Sequence, residues 1–277
     1  MAQVTDPHTV HGEGPVWIPA LGGVAWLDML AGDILILNAD TAAVSRRHLG
    51  EVVACLRPRS RGGFIAALED SFALYDTAGN LEAISKVVEA PGVRFNEGTC
   101  DLDGNFLCGT MAYDQATGRG DVFRMTPAAE VEKVIAGVSI SNGMQFTRSH
   151  GGRYIDSPTG TIERLEIDQG RIIRTPFVHI PADFGMPDGL CMDTEGGTWV
   201  AMWGGGHVRR YDADGELDLV IEVPADQVTA CTFGGPDLAT LYITTSRLGL
   251  DDRGGPAGAL FAADVDFCGY PPLPFAG

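Results

Sequence analysis

The segment MPDGLCMDTEGGTWVAMWGGGHVRRYDADG, residues 186–215, decides the fold. A short apolar run (GLCM) gives way to a polar turn (DTEGG), a β-rich run (TWVAMW), three glycines and another run (HVRRYDA). Runs this short, bounded by Gly and Asp, read as strands and turns. Nowhere do apolar residues hold the i, i+3, i+4, i+7 spacing of a long helix. Asp188 is harder to place, because it sets a carboxylate between Pro187 and Gly189 at the mouth of the first run. It is either a turn residue or a group aimed at a ligand.

The same pattern recurs along the chain. GVAWLDM is followed by DILILN, GFIAALE by SFALYD, NFLCGTM by DVFRMT, GRYIDS by TIERLEI, GTWVAMW by HVRRYDA, and TLYITTS by GALFAAD. Each pair is a hairpin joined by a turn-prone link. Six pairs imply roughly 46 residues per unit, near the size of a four-stranded propeller blade. The expected fold is all-β, a six-bladed β-propeller forming one domain over residues 1–277. TVHGE near the N-terminus is expected to complete the last blade, with GALFAADV supplying inner strands.

Four polar residues stand upstream of the hairpins: Glu13 in GEGPVW, Asn96 in RFNEGTCD, Asn142 in ISNGMQF and Asp188 in MPDGLCMD. Successive gaps are 83, 46 and 46 residues, so the same structural position is filled repeatedly. In a propeller, polar groups at the start of innermost strands converge from different blades. Asn and Asp before Gly are also ordinary turn-makers. Four in register favour convergence.

Glu13, Asn142 and Asp188 would supply two carboxylates and an amide oxygen, a donor set suited to Ca²⁺, Mg²⁺ or Mn²⁺, with Zn²⁺ tolerated. The chain carries 37 acidic and 19 basic residues, a net charge of −18. Beyond Arg57, Arg59 and Arg61 it has no basic cluster, so a phosphate backbone or an anionic membrane would meet repulsion almost everywhere, which argues against either as partner. No apolar run approaches the roughly 20 residues a bilayer needs. No secretory signal opens the chain, and a cytoplasmic location is expected. Its six cysteines are scattered without a C-x-x-C and read as reduced, buried thiols. The six histidines show no metal-ligand spacing, and His11 reads as a surface or core residue. Trp199 and Trp203 read as blade packing. No G-x-S-x-G, phosphate loop or H-E-x-x-H is present.

HGEGPVW, RFNEGTCDLDGNFLCGTM, ISNGMQF, the 186–215 segment and CTFGGPDLATLYITTSR together resemble the SMP-30/gluconolactonase family, the regucalcin-like lactonases. The resemblance spans about residues 12–263. It implies a six-bladed propeller and a divalent-metal-dependent enzyme opening a sugar lactone to an aldonic acid. By motif, the family's metal ligands fall on Glu13 (G-E-G-P), Asn142 (I-S-N-G) and Asp188 (P-D-G). Its substrate-holding residues fall on Arg94 and Asn96, with Asp114 following G-T-M. Asp188, or a water it holds, is the candidate general base. Two departures lie in the substrate half: Glu97 stands where the family usually has Asp, and Tyr113 where relatives often carry an acid. Other readings remain open: another ester or phosphotriester hydrolase on the same scaffold, or a non-catalytic calcium-binding propeller.

Overall fold

The computed structural model describes residues 1–251 and 255–277. Its strands form six four-stranded antiparallel sheets, one for each predicted hairpin pair, and the fold is a six-bladed β-propeller. The chain divides into two compact units, residues 1–52 with 180–271 and residues 53–179 with 272–277.

In the first unit, one sheet runs Gly12–Ile18, Gly23–Asp28, Asp33–Asn38, Val44–His48. A second runs Met186–Met192, Thr198–Trp203, His207–Tyr211, Leu217–Glu222. The third holds Val228–Gly234, Thr240–Thr245 and Leu260–Asp264, and its fourth strand is Ala2–Gln3 from the other end of the chain. That corrects the expected closure. Residues 9–13 do not complete this sheet, and Leu260–Asp264 is its third strand rather than an inner one. Thr9 and Val10 precede the strand at Gly12, and their backbone is tied to Gly258 and Arg247 instead.

The second unit repeats the plan three times. Its sheets begin at Val53–Pro58, Val93–Cys100 and Ser141–Thr147 and end at Leu81–Lys86, Val131–Val138 and Arg171–His179. Every predicted pair forms the second and third strands of its sheet. First strands are almost wholly buried, as in Val93–Cys100, whereas fourth strands such as Leu81–Lys86 lie mostly exposed. Polar residues on those edges discourage edge-to-edge pairing with other molecules.

Neighbouring sheets within a unit pack face to face. In the first unit, Trp199, Val208, Phe233, Ile243 and Phe261 share one core, and Trp17, Trp26, Leu35 and Tyr242 share another. In the second, Leu107, Val122, Met144, Tyr154 and Leu165 interlock. All six cysteines are free thiols; five are buried and Cys268 is exposed.

The 186–215 segment distinguishes two kinds of acid. Asp193 is fully buried and accepts the backbone N–H groups of Glu195 and Gly197, which folds the DTEGG turn. Its other oxygen takes Trp199 Nε1 at 2.8 Å and Arg210 Nε at 2.7 Å. Removing Asp193 leaves Trp199 Nε1 and the turn's backbone N–H groups without their acceptor, while Arg210 keeps Asp218. Asp193→Ala is therefore expected to destabilise the protein by about 3 kcal/mol in denaturant unfolding. Asp212→Ala, in an exposed turn of the same design, should give a smaller shift.

Candidate active site

Each first strand carries one irregularity at the same level of its ladder. Register shifts fall between Glu13 and Val16, Val53 and Cys55, Phe95 and Gly98, Ser141 and Met144, Pro187 and Leu190, and Val228 and Ala230. A β-bulge of this kind inserts one extra residue, bends the strand and re-aims the side chains beside it. Asn96, Asn142 and Asp188 each open a two-residue bulge, whereas Glu13 is the last paired residue before its own. The corresponding insertions elsewhere hold Ala54, which has no polar group, and Thr229, whose hydroxyl hydrogen-bonds with Gly12 O and Thr244 Oγ1, so neither presents a carboxylate or an amide.

In the second unit the bulges join three candidate residues into one hydrogen-bond chain. Arg94 Nη1 donates to Asn96 Oδ1 at 2.8 Å. Asn96 Nδ2 donates to Ser141 O at 2.9 Å and to Asn142 Oδ1 at 3.1 Å. Asn142 Nδ2 then donates to Ser157 Oγ at 2.8 Å. The network fixes the orientation of both amides. With its nitrogen committed to Ser157, Asn142 turns its oxygen toward Asn96 and keeps a further lone pair for a ligand. Arg94, Asn96 and Asn142 are all buried.

Two devices hold this arrangement. Gly109 lies opposite the Asn96–Glu97 bulge, and a Cβ there would collide with Ser141. Glycine is what allows the strand Ser141–Thr147 to come within reach of Asn96. Asp156, at the end of the neighbouring strand, accepts the backbone N–H groups of Ser139 and Ile140 and pins the chain leading to Asn142. Tyr154 also donates to Ser141 Oγ at 3.0 Å. Burial pushes the pKa of this phenol up, so it stays a donor.

The first unit uses the same plan around Glu13. Asp28 accepts the N–H groups of Val10 and His11 at 3.1 Å each, as Asp156 does for its own strand. Glu13 is buried, its Oε2 accepting the Gly14 N–H at 3.1 Å. His11 is buried beside it, with Nε2 at 4.0 Å from Glu13 Oε1 and Nδ1 at 2.9 Å from Ser246 Oγ. Its ring stands in a T-shaped arrangement with Trp203 at a centroid distance of 5.8 Å. Asp188 is buried at its bulge. Gly189 beside it makes room for the neighbouring strand, since a Cβ there would press on Ala230 and Thr229.

Asp114 sits differently. It lies in a surface turn, accepting the N–H of Ala116 at 3.1 Å and pairing with Arg119 at 3.4 Å. Tyr113, its neighbour, is the residue facing Arg94, with the guanidinium 5.6 Å from the ring centroid. Sequence reasoning left out Ser157, Ser246, Asp28 and Asp156. The last two had a signal, because LDM and IDS both end a second strand with Asp.

These motifs agree with wider comparisons. Residues 11–247 match the model of the SMP-30/Gluconolactonase/LRE-like region. The chain belongs to this family. It is 35% identical to pentonolactonase XacC of Haloferax volcanii over 98% of its own length and 96% of the relative. With zebrafish (Danio rerio) regucalcin it shares 32% identity over 96% of this chain and 95% of the other. The crystal structure of a calcium-binding regucalcin from Agrobacterium tumefaciens superposes with a TM-score of 0.90 at 29% identity, covering 99% of this chain and 96% of that one.

The close approach at Gly109 is open to direct measurement. Gly109→Ala should overpack the bulge and destabilise the protein by about 2 kcal/mol. Adding Ser141→Gly should recover part of that loss in denaturant unfolding. Additive losses would show that the two residues do not press on one another.

Proposed function

We propose that this protein is a divalent-metal-dependent lactonase that opens a sugar lactone to its aldonic acid, in carbohydrate catabolism and in the cytoplasm, as a single domain over residues 1–277. The observation that carries the reading is the chain Arg94–Asn96–Asn142–Ser157, which ties the substrate-holding motif to the ligand-bearing amide. A protein that only bound an ion would have no use for Arg94 at the end of that chain. Family membership and a relative named as a pentonolactonase support the same reaction class.

In this proposal Glu13, Asn142 and Asp188 hold one divalent cation, Ca²⁺ first, with Mg²⁺, Mn²⁺ or Zn²⁺ as alternatives. The donor set fits: two buried carboxylates and an amide oxygen that keeps a lone pair beside its bond from Asn96 suit a hard ion. When bound, the cation supplies electrophilic stabilisation of the charge that develops on the lactone carbonyl oxygen. Arg94 and Asn96 orient the ring through its oxygens and hydroxyls, so that one face of the acyl carbon is open to water. Asp188 takes the proton of the attacking water, directly or through a second water, and returns it to the ring oxygen as the acyl C–O bond breaks. Water is added across that bond and the product is the open-chain acid.

The test is hydrolysis of five- and six-membered aldonolactones by chelator-stripped protein, with and without each divalent cation, corrected for spontaneous opening. Metal-restored turnover is expected, with Asp188→Asn reducing kcat at least 100-fold, the scale of a lost general base. Full activity in Asp188→Asn would refute the assignment. Metal binding without turnover of any lactone, ester or phosphotriester would favour a calcium-binding role, as the name regucalcin on relatives suggests.

A further inference from the structure

Tyr113 is a large aromatic residue left 49% exposed, yet it is held at three points. Its backbone N–H donates to Gly92 O at 2.9 Å. Its hydroxyl donates to Glu69 Oε1 at 2.6 Å, a short contact typical of an O–H donor on a carboxylate. Its ring faces the buried Arg94 guanidinium at 5.6 Å, within cation–π range. Glu69 is itself tied to the strand that bears Arg94, because its carbonyl accepts the Phe95 N–H at 2.8 Å. The residue beside Tyr113, Asp114, is occupied in its own turn with Ala116 and Arg119.

We propose that Tyr113, braced by Glu69, is a specificity-determining wall beside Arg94 and makes this enzyme favour five-carbon over six-carbon aldonolactones; the inference rests on the lactonase reading above. The hydroxyl is engaged by Glu69, so a ligand reaching Arg94 meets the ring rather than a polar tip. A sugar lactone has a face of C–H bonds that packs against an aromatic surface. Because the ring is already anchored, little ordering is needed when substrate arrives. An aromatic face is only a weak acceptor for an exocyclic hydroxyl. The extra hydroxyl-bearing carbon of a six-carbon lactone therefore loses a hydrogen bond to water that the wall does not replace. A carboxylate at position 113 would have supplied that acceptor. Glu69 acts through Tyr113 and is a positioning residue.

The decisive quantity is the ratio of kcat/KM for a five-carbon lactone to that for its six-carbon homologue, in metal-loaded protein. Tyr113 is half exposed and its backbone contact survives substitution, so variants there should lower the melting temperature only slightly. Tyr113→Ala is expected to lower the five-carbon value about tenfold while the six-carbon value changes little, the scale on which pockets discriminate small groups. Tyr113→Glu should move the ratio further toward the six-carbon lactone. Glu69→Ala and Tyr113→Phe should each shift the ratio part of the way, and the double variant should shift it no further than either alone. A ratio unchanged in Tyr113→Ala and Tyr113→Glu, with wild-type turnover intact, would overturn the wall and leave the lactonase reading standing. A wild-type protein that opens no lactone of either size would overturn both.

Discussion

One extra residue in each first strand is the constraint on which the arrangement depends. A regular ladder alternates its side chains strictly and could not present Asn96 and Asn142 to one another across neighbouring sheets. The bulge breaks the alternation at one level, and the polar side chains sit there. A bulge also crowds the neighbouring strand, which is relieved locally by the missing Cβ atoms at Gly109, against the Ser141 side chain, and at Gly189, against Ala230 and Thr229. The polar positions and the glycines are thus two parts of one solution.

Position relative to this irregularity sorts the acids of the chain. Asp193 and Asp188 are five residues apart and both buried. Asp193 closes a turn, spending both oxygens on backbone N–H groups, an indole and a guanidinium. Asp188 stands at a bulge, where geometry rather than turn chemistry decides its direction. Asp28 and Asp156 form a third class, each gathering two backbone N–H groups that lead into a first strand. Acidity alone says little about role; the level within the sheet says most.

Much of this is legible in the sequence. The hairpin pairs stood out because second and third strands are apolar and bounded by turn residues. Fourth strands did not, since these exposed edges mix polar and apolar residues, from VSRRH at residues 44–48 to LDLVIE at 217–222, without a shared period. Ala2–Gln3 is too short to carry any pattern. The repeat spacing found the level of Asn96, Asn142 and Asp188 but placed Glu13 one residue off the bulge, a difference that depends on pairing rather than on spacing. His11 reads in the sequence as a surface or core residue two positions from Glu13, and it is buried; its contact with Ser246, far along the chain, has no local signal. The bracing of Tyr113 depends on Glu69, a contact between residues from different hairpins that no local pattern encodes.

The two-residue strand Ala2–Gln3 has a consequence for how the molecule is made. It pairs with Phe261 and Ala262, whereas every other ladder joins strands that follow one another along the chain. Closing that ladder brings together segments separated by roughly 260 residues, an entropic demand no local hairpin faces. On a ribosome, which releases the N-terminal segment first, the sheet has to wait for Leu260–Asp264 to emerge while the other five can pair from neighbouring chain. Until then the outward edge of Leu260–Asp264 is a row of unsatisfied backbone groups. This sheet is the one that pairing between successive strands alone does not complete.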